Sequence, residues 1–118
     1  MLRWLRDLAA RLPSWLMIDG GEVVGACGHK TAPDADGSVE IGYGVAETRR
    51  GRGHASGAVA AMVALAANDP RIGALTARTA VANTASQGVL SRNGFIRVGE
   101  SVDPEDGQMI DWRLGLRA

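Results

Sequence analysis

Cysteine is almost missing from this sequence: its 118 residues contain Cys27 alone, which excludes an intramolecular disulfide and a cysteine-rich zinc site. The two histidines, His29 and His54, stand far apart and offer no metal-ligand spacing, so no metal centre is expected. A net charge is missing too: 13 basic residues balance 13 acidic ones, so the global basic field of a general nucleic-acid binder is absent. Aromatic residues make up only 4%, and no stacking platform accompanies the arginines, which argues against a nucleic-acid partner. Long apolar runs are missing as well. The opening "MLRWLRDLAARL" is interrupted by Arg3, Arg6, Asp7 and Arg11 and has the continuity of neither a signal peptide nor a membrane span. These absences lead to the expectation of a soluble protein in a reducing cytoplasm, with no membrane partner. Lysine is represented by Lys30 alone while arginine, alanine and glycine abound, a composition compatible with a high-GC bacterial genome.

What is present suffices for one domain over residues 1–118, with 46% hydrophobic residues to build one core. Trp4, Leu5, Leu8 and Leu12 recur at helical spacing, predicting an amphipathic helix over residues 2–12 closed by Pro13. Lying on a membrane surface is the alternative for it; packing on the core is the simpler reading. Runs at Trp15 to Ile18 and Glu22 to Cys27 flank the turn residues Asp19-Gly20-Gly21 and predict a hairpin. After the polar loop "TAPDADG", the alternation of "SVEIGYGVAE" adds a third antiparallel strand. Apolar residues from Ala55 to Ala66 then predict a helix of about four turns, stopping at "NDP". "IGALTARTAV" is a strand, and "NTASQGVLSRNGF" a short helix with Asn83 or Thr84 as cap and Asn93-Gly94 as its end. "FIRVGES" and "GQMIDWRLGL" close the chain as two strands about an acidic loop. The predicted order is α-β-β-β-α-β-α-β-β, a mixed α/β (α+β) fold.

The stretch "RRGRGHASGAV" sits between a strand and a helix. Glycines there allow a bulky anion to approach the main chain, and the N–H groups of the helix start can converge on it. No G-K-[ST] follows, so it is not a P-loop, and it lacks the G-x-G-x-x-G of a dinucleotide fingerprint. Taken alone, the stretch is equally consistent with a solvated surface turn.

Arg50-Gly51-Arg52-Gly53-His54-Ala55 also fits R/Q-x-x-G-x-G/A, the pyrophosphate motif of the GNAT N-acetyltransferases, matching at Arg50, Gly53 and Ala55. "GSVEIGYGVAETRRGRGHA" resembles the fourth strand and following loop of the ribosomal-protein alanine acetyltransferase-like branch. "VANTASQGVLSRNGF" resembles its N-x-x-S and Gly-Phe helix, through Asn83, Ser86, Gly94 and Phe95. The resemblance implies a mixed, mostly antiparallel sheet flanked by helices and an acetyl-CoA-dependent transfer to a primary amine, on a protein N-terminus or a small molecule. It also implies that the family's first strand and helix are missing ahead of residue 2. That leaves an open acceptor site, a truncated start or an exposed sheet edge covered by a second subunit, the last making a homodimer.

On the same resemblance, the backbone from Arg50 to Ser56, comprising Arg50, Gly51, Arg52, Gly53, His54, Ala55 and Ser56, is expected to hold the pyrophosphate. The main chain near Val45 would pair with the pantetheine arm, on a strand splayed from its neighbour. Asn83 is expected at the cleft, as helix cap or as a pantetheine partner. Glu40 shares a strand face with Gly42 and Gly44 and is the candidate base, a solvated strand-start glutamate being the alternative. The family's usual tyrosine acid is replaced by Leu90, leaving Ser86 or a water to protonate the leaving thiolate, unless Ser86 is simply a first-turn polar residue. Tyr43 points to the face opposite Glu40 and is expected in the core. The rival function is a non-catalytic acyl-CoA-binding module.

Overall fold

A two-residue turn at Gly20 and Gly21 joins strand β1 (Ser14–Asp19) to β2 (Glu22–His29), and β3 (Ser38–Val45) adds the third antiparallel strand, as the alternation predicts. The computed structural model describes residues 12–117, so all but the last residue of the helix predicted over 2–12 lies outside the described residues. Between β2 and β3 the polar loop is turned by Asp34, whose carboxylate accepts from the N–H groups of Asp36 at 2.8 Å and Ser38 at 2.9 Å. A single 3-10 turn, Glu47–Arg49, follows β3 and was not foreseen from the sequence. Helix α1 (His54–Ala67) then crosses to β4 (Ala74–Ala80), and α2 (Thr84–Arg92) precedes β5 (Ile96–Asp103) and β6 (Gly107–Gly115).

The six strands form one sheet in the order β1-β2-β3-β4-β6-β5. Only β3 and β4 are parallel neighbours, because the helical crossover through α1 returns the chain in the same direction. The other four contacts are antiparallel. Both described α-helices share one core with the sheet: Val59, Met62 and Ala66 from α1 and Val89 and Leu90 from α2 meet Val39, Ile41, Leu75 and Ala77. Each fully buried branched side chain of this kind stabilises the fold by about 1.5–3 kcal/mol. Trp112 on β6 is buried and donates its indole N–H to Thr79 Oγ1 on β4 at 3.0 Å, satisfying the one polar atom of its ring.

The feature that positions the site is a break in pairing. β3 and β4 are matched only at Ser38 with Ala74, Val39 with Leu75 and Glu40 with Thr76. Beyond that register, residues 41–45 of β3 stay paired with β2, and residues 77–80 of β4 stay paired with β6. Each strand is thus held on its far side while the edges that face each other part, giving the splay that the family resemblance implies.

Candidate active site

A cleft of about 900 Å³ opens where β3 and β4 part. One wall is the β3 segment Tyr43 to Val45, the second is the turn from Arg49 to Ser56, and the third is α2 with the residues leading into it. Val45, Arg50, Gly51, Gly53, His54, Ala55, Ser56, Asn83 and Ser86 all line it, so nearly every residue singled out from the sequence converges on one space. Arg52 and Glu40 do not line it.

The turn is built to receive an anion. Gly51 and Gly53 have φ of +79° and +82°, conformations that favour glycine, and open space lies where a Cβ would stand. Gly53 is the N-cap of α1 and provides no side-chain cap; the first intrahelical bond runs from Gly57 N–H to Gly53 C=O. The N–H groups at the start of α1 therefore have neither a helical acceptor nor a capping side chain, the arrangement that binds phosphate at a helix N-terminus. Arg49 braces the turn against the hairpin by pairing with Glu22, while His54 Nε2, 3.4 Å from Asp19 Oδ2, is buried without a hydrogen bond. Arg50 folds back, its Nε donating to Val45 C=O at 3.2 Å.

Helix α2 starts differently. Asn83 caps it as expected, its side-chain oxygen accepting from Ser86 N–H at 3.1 Å. This fixes Ser86 at the mouth of the fork, and Tyr43 reaches it from β3. The Tyr43 hydroxyl lies 2.7 Å from Ser86 Oγ, where either can donate, and 3.2 Å from the Ser86 carbonyl oxygen. Burial pushes the Tyr43 phenol above its ordinary value of 10, and the Ser86 hydrogen bond opposes that rise. The expectation that Tyr43 points away from Glu40 agrees with this geometry, but its placement as a core residue needs correcting. It packs against the core with its ring and presents its hydroxyl to the cleft, where the first turn of α2 brings Ser86 to it. Leu90, at the position of the family's tyrosine, is wholly buried and does not reach the cleft.

Glu40 stands at the last paired rung of β3 and β4, at the vertex of the fork. Three residues from Tyr43 along the strand, it projects from the other face of the sheet. Its carboxylate is partnered by Lys30 Nζ at 3.1 Å and Arg78 Nε at 3.5 Å, and Arg78 also reaches Asp103 at 3.4 Å. Among the described residues no group of three or more potential metal ligands occurs, and no helix is long and apolar enough to cross a membrane.

Two cleft residues with polar side chains, Tyr43 and Arg92, are not placed there by the sequence. Tyr43 meets Ser86 only where the start of α2 approaches β3 across the fork. Arg92 lines the far end of the cleft from the last turn of α2, and its position directly before Asn93-Gly94 was the only available hint.

Comparison with known proteins agrees with this geometry. A family model described as an acetyltransferase (GNAT) domain matches residues 1–96. An uncharacterized N-acetyltransferase, YjdG of Bacillus subtilis (strain 168), is 32% identical over 85 residues, covering 70% of this chain and 51% of that protein. The chain thus spans about half the length of this curated relative. Among solved structures, the ribosomal L7/L12 alpha-N-protein acetyltransferase RimL, in complex with coenzyme A, superposes with a TM-score of 0.82 at 21% identity, covering 93% of this chain and 66% of that one. The aminoglycoside acetyltransferase AAC(6')-Ib in complex with coenzyme A gives 0.78 at 21% identity, over 93% of this chain and 70% of that one. An anion-ready turn, a parted strand pair and a family model covering most of the sequence lead to one conclusion: the chain belongs to the GNAT acetyltransferase family.

Proposed function

We propose that the protein is an acetyl-CoA-dependent N-acetyltransferase that delivers an acetyl group to a primary amine. The observation that carries this reading is the parting of β3 and β4 beyond Glu40 and Thr76, which leaves the β4-facing edge of residues 41–45 open beside an uncapped helix start. A diphosphate suits the N–H groups from Arg50 to Ser56, and an amide-bearing arm suits the free edge near Val45, in the manner of an added strand. The solved relatives with coenzyme A bound support the same donor. Those relatives are described as acting on a ribosomal protein N-terminus and on aminoglycosides, so the acceptor class proposed here is an amine on a protein or a small molecule.

Direct transfer requires a neutral amine, a held thioester and a proton for the departing sulfur. Glu40, at the vertex, accepts the proton of the attacking amine through water. The C–N bond forms as the C–S bond breaks, and the sulfur takes the Ser86 hydroxyl proton. Tyr43, bonded to that oxygen, steadies the hydroxyl and resupplies it. Arg52 remains a candidate for the outer rim of the phosphate site. A second copy seated on an exposed sheet edge, where Leu16 and Ile18 of β1 or Ile96 and Val102 of β5 are open to solvent, is the proposed assembly.

The test is calorimetric titration with acetyl-CoA, followed by thiol release in the presence of a peptide N-terminus, an aminoglycoside and a polyamine. The expected result is saturable binding, release of free thiol with at least one amine, and loss of release but not of binding in Glu40→Gln. Binding without release for any amine would instead favour an acyl-CoA-binding module, whose specific support is the engagement of Glu40 by two cations.

A further inference from the structure

Helix α2 runs the length of the cleft, with Ser86 at the fork and Arg92 at the opposite end, a rise of about 9 Å at 1.5 Å per residue. The end that carries Arg92 is fastened to the phosphate turn. Asn93, the C-cap residue, donates its side-chain N–H groups to Ser56 C=O and Ser56 Oγ, both at 3.3 Å. Ser56 belongs to the first turn of α1, so this tie holds the last turn of α2 against the uncapped N–H groups. One turn before Arg92 stands Gly88, and a Cβ there would lie 3.0 Å from Arg92 Nη1. The missing side chain gives the guanidinium room to lie back along the helix on the cleft side, where both residues line the wall.

The charges around the cleft are differently committed. Arg49 pairs with Glu22, and Arg50 donates to Val45 C=O. Arg92 is exposed and, among the described residues, forms no ion pair. A guanidinium with a free fork of donors on the wall of an anion cleft suits a further phosphate, which it can bind bidentately. Coenzyme A has one to offer besides its diphosphate: the 3′-phosphate, carried on the ribose beside the diphosphate and away from the thioester. With the thioester at the fork and the diphosphate at the turn, that third phosphate belongs at the end of the cleft where Arg92 stands.

We infer that Arg92 binds the 3′-phosphate of the donor and makes the protein discriminate coenzyme A from its 3′-dephospho form. The inference rests on the acetyl-CoA reading of the cleft. Its test is calorimetric titration of the full chain with acetyl-CoA and with acetyl-3′-dephospho-CoA at one ionic strength, using wild type, Arg92→Ala and Arg92→Lys. Arg97→Ala on β5 serves as the charge control, since Arg97 pairs with Glu100 away from the cleft. Wild type and Arg97→Ala are expected to prefer acetyl-CoA by about 10- to 100-fold, the range of a charged hydrogen-bond pair. Arg92→Ala removes the preference by weakening acetyl-CoA alone, and Arg92→Lys restores part of it. Equal weakening of both ligands in Arg92→Ala, or a preference that survives it, overturns the inference while leaving the donor reading intact. No binding of either ligand by folded wild type overturns the donor reading as well.

Discussion

The hydroxyl of Tyr43, on β3, lies 2.7 Å from Ser86 Oγ, on α2, joining two residues 43 positions apart across the mouth of the fork. A serine alone is a weak proton donor. Backed by a phenol, it can pass one proton to sulfur and regain another through the same hydrogen bond. Tyr43→Phe and Ser86→Ala are each expected to lower kcat by about 10- to 100-fold, within the range of general acid catalysis, and the double variant to be no slower than Ser86→Ala. The Michaelis constant for acetyl-CoA should move little. Steady-state kinetics on the three variants checks this, and multiplicative losses would show that the two hydroxyls act separately.

Tyr43 is the only tyrosine in the chain, so phenolate absorbance reports one group. Burial raises its pKa above 10 and the Ser86 bond lowers it. An absorbance titration should therefore give a midpoint above 10, moved further upward in Ser86→Ala. A group whose pKa is raised on folding contributes stability that is complete below the unfolded value and fades as pH climbs toward the folded one. Chemical denaturation above pH 10 should show this decline in wild type and a shallower one in Tyr43→Phe.

Leu90 invites a restoration experiment, since family members often carry a tyrosine there. Its side chain is fully buried among core residues. Leu90→Tyr is therefore expected to destabilise the fold by about 1–3 kcal/mol through overpacking, without rescuing kcat in a Ser86→Ala background. Denaturant midpoints together with kinetics decide this.

Thr79 and Trp112 supply a control away from the cleft. Thr79→Val leaves the buried indole N–H without its 3.0 Å acceptor and should lower stability by about 1–3 kcal/mol at an unchanged denaturant slope. Acetyl-CoA affinity should stay within about twofold of wild type.

Much of this molecule was legible locally. The hairpin turn, the Asn83 cap, the Asn93-Gly94 helix end and the glycine turn each announce themselves within a few residues, because turn and cap chemistry acts over that distance. The face count on β3 correctly set Tyr43 opposite Glu40. That the Tyr43 hydroxyl meets Ser86 could not be read, since it depends on where the start of α2 lies after a crossover and a further strand. Glu40 was equally opaque in its partners: Lys30 and Arg78 come from separate segments and meet it only in the assembled sheet. Arg92 carries little local signal in the sequence, because its placement depends on the tie between Asn93 and Ser56.

The parted strands have one more consequence. Where a ligand is read by the main chain along one open strand edge, side chains of that strand with no other task are free to drift so long as none fills the opening. Mutational tolerance at Gly42, Gly44 and Val45 should therefore track size more closely than chemical type, whereas Ile41 is held by the core and Tyr43 by the contact of its hydroxyl with Ser86. Relatives with quite different letters there can keep the same slot, which is one way a fold can persist at 21% identity.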